Sequence, residues 1–177
     1  MVGTDRTSKY TIAHATKSDD AKTVTKFLSN FVTTFACPKL ITSDRGTHFK
    51  NKEVHDFCKA LGIEIRHSTS YAPQSQGGVE RLNQMLCRSL SHYVQDNPGH
   101  WAKYLPYVVL DYNTTPLTDF RGLSPYYIVF GQNPLMPVNL KLGELEDPSE
   151  DQLERLKKIQ KIRKEIPGII AKNQEKL

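Results

Sequence analysis

A helical spacing of apolar residues dominates the first part of the chain. Polar cap residues at 18–20 precede this pattern and Pro38 follows it, so one helix is predicted to end near Phe35. Its apolar positions are Val24, Phe27, Leu28, Phe31, Val32 and Phe35. Ahead of the helix, short apolar stretches at 1–5 and 10–15 flank a polar turn and predict a β-hairpin.

The next elements alternate between strands and helices. Short strands are predicted at 39–42 and 63–67. Between them, Asn51 is a candidate N-cap of a second helix and Gly62 a candidate C-cap. This order is typical of an α/β fold with a mixed sheet flanked by helices.

The rest of the chain is predicted to be helical after a polar loop at 68–78, which is rich in Ser, Gln, Pro and Gly. Helices are predicted at 79–96, 101–112, 124–131 and 151–177, the last interrupted at Pro167-Gly168. A boundary near residue 140 divides the chain into a domain at 1–140 and a charged helical tail at 141–177.

Composition narrows the class of protein. Hydrophobic residues make up 38% of the 177 positions and charged residues 24%, as in globular proteins. No apolar run is long enough to cross a bilayer, so no membrane partner is expected. Cys37, Cys58 and Cys87 form no CxxC pair and are predicted to be reduced core thiols of an intracellular protein.

The net charge of +5 lies mostly in the tail, where residues 151–177 hold eight Lys or Arg against four Asp or Glu. A basic tail suits contacts with phosphates. A solvated helix of mixed charge is the alternative, and the charge count alone favours neither.

Two carboxylates lie at positions where catalytic residues are common. Asp44 follows a predicted strand, and ligands of open α/β sheets collect at the carboxyl ends of strands. Glu80 lies in the first turn of a predicted helix, beside the polar loop. An Asp at a strand end is also often only a turn residue, so the two carboxylates alone decide little.

The surrounding segments resemble the catalytic core of retroviral-type integrases, in the version found in gypsy-class LTR retrotransposons. Thr42-Ser43-Asp44-Arg45-Gly46-Thr47-His48-Phe49 resembles the segment around the second catalytic carboxylate. Residues 71–83, Tyr-Ala-Pro-Gln-Ser-Gln-Gly-Gly-Val-Glu-Arg-Leu-Asn, resemble the catalytic loop and third carboxylate, and 35 residues separate Asp44 from Glu80 as in that family. Tyr112-Asn113 and Ser124-Pro125-Tyr126 are similar to the gypsy-class version.

The resemblance implies an RNase H-like fold and a Mg²⁺- or Mn²⁺-dependent polynucleotidyl transferase. It implies that DNA ends are trimmed and then joined to target DNA at a two-ion site, with Asp44 and Glu80 as catalytic metal ligands. Carboxylates are the hard oxygen ligands that Mg²⁺ requires. Tyr71 and Gln76 are similar to loop residues that contact the DNA end, although they could serve only to shape the loop.

Other implied roles concern DNA and further protomers. Gln84 and Arg88 lie one and two turns beyond Glu80 and are candidates for phosphate contacts, with ordinary solvated residues as the alternative. The implied partners are element DNA ends, target DNA and other copies of the chain, with no small-molecule substrate. A nuclear location is expected from this chemistry.

The sequence departs from the family pattern at its start. The first-strand Asp that bridges both ions precedes the matching segment and is absent here, so this chain is expected to be inactive and its two-ion site incomplete. By the resemblance Asp5 aligns with the end of the second strand, where gypsy-class proteins commonly carry Asp, and it is interpreted as a hairpin residue. The alternative function is a host-adopted module that binds DNA or protein without catalysis.

For several further residues, a structural role is the favoured interpretation. His48 and His67 flank the site and are predicted to be structural histidines. A group of aromatic residues in the third quarter of the chain is predicted to form core or dimer contacts. Its members are Trp101, Tyr104, Tyr107 and Tyr112.

Overall fold

The computed structural model describes residues 1–68, 73–94, 98–135 and 152–174. Within these ranges it contains four short strands and six α-helices. The strands are β1 (Val2–Thr4), β2 (Thr11–Ala13), β3 (Leu40–Ser43) and β4 (Glu64–His67). The helices are α1 (Ala21–Phe35), α2 (Lys52–Ala60), α3 (Pro73–Tyr93), α4 (Trp101–Thr114), α5 (Pro125–Phe130) and α6 (Gln152–Gln174).

The chain forms two compact units. The first comprises residues 1–2 and 13–105, and the second comprises 3–12 and 106–177. The predicted boundary near residue 140 lies outside the described residues, so that domain division stays a prediction. No helix in the described ranges is long and apolar enough to cross a membrane.

The predicted hairpin is confirmed. β1 and β2 pair as a two-stranded sheet, closed by a bond of 2.8 Å from the Asp5 N–H to the Tyr10 carbonyl. The turn is held by Asp5, whose Oδ2 accepts from the Ser8 N–H at 2.7 Å and from the Ser8 hydroxyl at 2.6 Å. Asp5 is therefore a turn residue, as interpreted from the sequence.

In the first unit, α1 and α2 pack against each other with apolar faces. Val24 and Val54 are fully buried, and the Cys58 thiol is buried with them, which raises its pKa. Both helices begin at the predicted caps: Asp20 accepts from the Thr23 N–H at 2.8 Å, and Asn51 accepts from the Glu53 N–H at 2.9 Å. Local capping signals therefore fixed the starts of these helices.

Strands β3 and β4 run parallel, with Ser43 opposite His67 at the carboxyl end of the pair. The described strands thus form two sheets of two strands, one a hairpin and one a parallel pair. The parallel pair brings Asp44, which follows β3, to the edge where sites of α/β proteins form.

The second unit has its own core, built around Phe120, Ile128 and Ile166. Helix α5 is preceded by its N-cap Ser124, whose hydroxyl oxygen accepts from the Tyr127 N–H at 3.1 Å, and followed by Gly131 in the left-handed conformation. Ile166 belongs to α6, so this helix contributes directly to the core of the unit.

Two predicted breaks are wrong. Helix α3 already begins at Pro73, although a loop was predicted through residue 78; a proline in the first turn needs no hydrogen-bond partner for its nitrogen. Helix α6 continues through Pro167, where an interruption was predicted. Proline costs one backbone bond, but burial of the adjacent Ile166, which is 1% exposed, holds the helix in place.

The prediction of core thiols is also wrong for two of the three cysteines. All three cysteines are free, but only Cys58 is buried, whereas Cys37 and Cys87 are exposed. Cys37 follows the end of α1, and Cys87 faces outward on α3. Next to Cys87 on α3, it is Leu86 that is buried.

Candidate functional site

Asp44 is presented in a tight turn directly after β3. Its Oδ1 accepts a hydrogen bond of 2.9 Å from the Gly46 N–H, and the side chain is exposed to solvent. This bond is an Asx-type turn, in which the side chain closes the backbone over two residues. One carboxylate oxygen is thereby fixed before any ligand arrives.

Gly46 is required by the close packing of this turn. A Cβ on Gly46 would lie 2.5 Å from His48 Cε1 and 2.9 Å from Asp44 Oδ1. Such distances are too short for a side chain, so glycine allows the His48 ring and the Asp44 carboxylate to approach the same backbone. His48 Nδ1 in turn lies 3.6 Å from a carboxylate oxygen of Asp19.

The neighbouring strand end is tied to the same turn. Ser43 Oγ and His67 Nδ1 are 2.9 Å apart, which links the ends of β3 and β4. Arg45 Nε donates to the Ser68 carbonyl at 3.1 Å. These bonds give His67 a partner within the fold, in keeping with its predicted structural role.

Glu80, Gln84 and Arg88 follow one another at four-residue intervals along α3, and all three are exposed. Residues at this spacing share one face of a helix, so the structure places them as the sequence predicts. Tyr71 lies outside the described residues. Gln76 lies within α3, but its side chain is not among those described.

The donor chemistry of the site fits Mg²⁺. Asp44 and Glu80 both offer exposed carboxylate oxygens, and Mg²⁺ is usually held by one or two carboxylates together with waters and substrate phosphates. In the described ranges, no three His, Cys, Asp or Glu side chains gather into a metal-binding group. The two carboxylates thus suit the ion as partial ligands, with further oxygens to come from water or substrate.

Two features of the site were missed at the sequence level. Gly46 was named only as part of a motif, although an Asp followed two positions later by Gly is a local signal for the observed turn. The approach of Asp19 to His48 joins residues far apart in sequence. No local pattern carries that information.

Comparison with known proteins places the chain among integrase cores. Residues 1–73 match the family described as Integrase core domain. The Pol polyprotein of Feline endogenous virus ECE1 is 30% identical over 168 residues, which are 94% of this chain and 16% of that protein. The chain therefore spans about one sixth of the length of this curated relative.

Solved structures give the same result at the level of the fold. The catalytic core domain of BIV integrase is 26% identical, with a TM-score of 0.61 over 72% of this chain and 82% of that one. The HTLV-2 integrase catalytic core, solved in a trimeric form with magnesium, is 19% identical, with a TM-score of 0.60 over 71% of this chain and 80% of that one. These likenesses confirm the predicted α/β, RNase H-like fold class.

Proposed function

Because this chain belongs to the family of retroviral-type integrase catalytic cores, we propose that it is the core of an integrase that serves DNA integration by metal-dependent 3′-end processing and strand transfer. The 177-residue chain by itself is proposed to be inactive. The observation that carries the proposal is the Asp44 turn at the carboxyl end of the parallel β3–β4 pair. This turn lies inside the segment that matches the integrase core family. The finer assignment to the gypsy class stays a prediction.

Asp44 and Glu80 are proposed to act as ligands of Mg²⁺ or Mn²⁺, and a complete site of two ions is expected only together with the first-strand Asp of the family. When bound, such ions activate the attacking oxygen and stabilise the leaving oxygen of a phosphodiester. The Gly46 N–H holds Asp44 Oδ1 at 2.9 Å and so reduces the rotamer freedom that metal binding would otherwise remove. Support for this assignment comes from the donor chemistry and the exposure of both carboxylates.

The proposed substrates are the DNA ends of a mobile element and a target DNA. Gln84 and Arg88 are proposed to contact phosphates, because both project from the Glu80 face of α3 into solvent. Tyr71 and Gln76 are proposed to contact the DNA end. The chain is further proposed to act in the nucleus as a homo-oligomer, since target DNA is chromosomal.

Metal titration tests the site directly. Binding of Mn²⁺ to the 177-residue chain is to be measured by calorimetry for the parent, Asp44→Asn, Glu80→Gln and the control Asp56→Asn. Asp56 is an exposed carboxylate of α2 outside the proposed site. Each site variant is expected to weaken Mn²⁺ binding at least about tenfold, equivalent to roughly 1.4 kcal/mol, and the control to leave it unchanged.

The proposal is overturned if the site variants bind Mn²⁺ as the parent does, or if Asp56→Asn weakens binding equally. A joining assay with a labelled DNA end then tests the chemistry. Mn²⁺-dependent joining by the parent chain would contradict the prediction that it is inactive. Joining that also persists in Asp44→Asn and Glu80→Gln would exclude these carboxylates from catalysis.

A further inference from the structure

Helix α6 is docked on the second unit by an apolar face. Ile166 is 1% exposed and packs with Phe120 and Ile128. Ile159 is also buried, and its side chain packs directly against Gly131. A Cβ added to Gly131 would lie 1.9 Å from Ile159 Cδ1. The packing leaves no room for a side chain at residue 131.

A cation reinforces the docking. Arg163 Nε donates to the Ile128 carbonyl at 3.0 Å, and its guanidinium also donates to the Val129 carbonyl. These carbonyls lie in the last turn of α5, where the helix itself supplies no donors. A positive charge is favourable at a helix C-terminus, so Arg163 holds α6 in a defined position.

The opposite face of α6 is basic. At 100° per residue, four exposed lysines fall within an arc of about 80° and extend over roughly 22 Å. They are Lys157, Lys161, Lys164 and Lys172. Gly168 also falls on this arc, and none of the described residues on the arc carries a large apolar side chain.

Two carboxylates border this lysine face and do not neutralise it. Glu154 is exposed near the first lysine. Glu165 pairs with Arg121 at 3.7 Å, so an additional cation offsets it. The lysine face and Arg121 together keep a surplus of positive charge over these two glutamates.

We propose that the lysine face of α6 (Lys157, Lys161, Lys164 and Lys172) binds the phosphate backbone of double-stranded DNA without reading its sequence. This inference deepens the proposed function and rests on it for the identity of the nucleic acid. Lysine ammonium groups act as point charges toward phosphate. A protein partner would call for aromatic or other apolar anchors at the centre of the surface, which this face lacks among its described side chains.

Because α6 is docked on the second unit, its lysine face is already held in position for binding. A helix already fixed by Ile159, Arg163 and Ile166 loses little conformational freedom when it meets a phosphate backbone. Sequence-independent binding of this kind depends on the release of counterions and therefore weakens steeply with salt. The salt dependence is the property to measure.

The test uses fluorescence anisotropy of a labelled duplex with the 177-residue chain over a series of salt concentrations. The variant is Lys157→Gln/Lys161→Gln/Lys164→Gln. The matched control, Lys22→Gln/Lys26→Gln/Lys59→Gln, removes the same charge from exposed lysines of α1 and α2. The α6 variant is expected to reduce the magnitude of the negative slope of log K against log salt by about 2 to 3, at about 0.9 per lost phosphate contact, and the control to reduce it by less than about 1.

Thermal unfolding by circular dichroism is expected to be unchanged in the α6 variant, because the three lysines are exposed. An α6 variant with the parent slope, or a control that reduces the magnitude of the slope equally, overturns the proposal. Polyglutamate that displaces DNA at equal charge concentration also overturns it, since the face would then suit acidic proteins. The Mn²⁺ titration of Asp44 and Glu80 variants is independent of this result, so either idea can fail alone.

Discussion

At the scale of single residues, Asn113 acts as a substitute for a backbone partner. Its Oδ1 accepts from the Thr11 N–H at 2.8 Å, and its Nδ2 donates to the Thr11 carbonyl at 2.8 Å. Both residues are buried. The side-chain amide of α4 thus pairs with a β2 peptide group that lies 102 residues away in the chain.

Replacing Asn113 by Ala is expected to destabilise the chain by about 2 to 4 kcal/mol, because a buried donor and a buried acceptor of Thr11 both lose their partner. Urea unfolding measures the change. Asn113→Asp retains an acceptor for the Thr11 N–H but places a carboxylate against the Thr11 carbonyl, and should not restore stability. The exposed Asn30→Ala is the control; a loss for Asn113→Ala no greater than that of the control would contradict this role.

At the scale of elements, the contact between Gly131 and Ile159 decides how α6 docks. Gly131→Ala places a Cβ 1.9 Å from Ile159 Cδ1 and imposes a left-handed φ of 72° on alanine. Gly122 has a φ of 82° with no atom within 4 Å of an added Cβ. Gly122→Ala therefore carries the backbone strain without the clash.

We expect Gly122→Ala to cost about 1 kcal/mol in the free energy of unfolding, and Gly131→Ala to cost about 1 to 3 kcal/mol more. Adding Ile159→Ala removes the clashing side chain, so the double variant should be less destabilised than the sum of the single changes. Denaturant unfolding of the parent, Gly131→Ala, Ile159→Ala and the double variant measures this coupling. Additivity within about 0.5 kcal/mol would show that the two residues are not coupled.

The helices also show how much of the fold could be predicted from the sequence. The starts of α1, α2 and α5 were predictable because their caps act within three residues: Asp20 and Asn51 were expected as caps, and Ser124 as a helix start. The course of α6 through Pro167 was not predictable, because the burial of Ile166 depends on Phe120 and Ile128. Local signals decide where helices start, whereas tertiary packing decides whether they continue.

The candidate site could likewise be predicted only in part from the sequence. Asp44 and Glu80 were identifiable because a motif marks each, and the structure places both in solvent. The support of the Asp44 turn by His48 and Asp19 was not identifiable, since it depends on how α1 and the β3–α2 connection meet. The metal-binding role of the two carboxylates stays a prediction.

At the scale of the whole molecule, the large aromatic side chains left in solvent bear on assembly. Trp101 is 43% exposed and Tyr107 is 62% exposed, so the predicted core role is wrong for these two. The alternative, a contact between copies, stays a prediction. In the first unit, the exposed Tyr93 also stacks on Tyr104 with 5.8 Å between ring centroids.

We predict that the chain self-associates through the surface around Trp101, because exposed apolar patches mark interaction surfaces. Trp101 is the single tryptophan of the chain and reports on its own burial. Acrylamide quenching of its fluorescence should therefore decrease as the protein is concentrated through the micromolar range. Trp101→Lys should sediment as a monomer, whereas the control Leu135→Lys, which alters an exposed residue of the second unit, should associate as the parent does. Quenching that is independent of concentration, with equal sedimentation of parent and Trp101→Lys, would remove Trp101 from any interface.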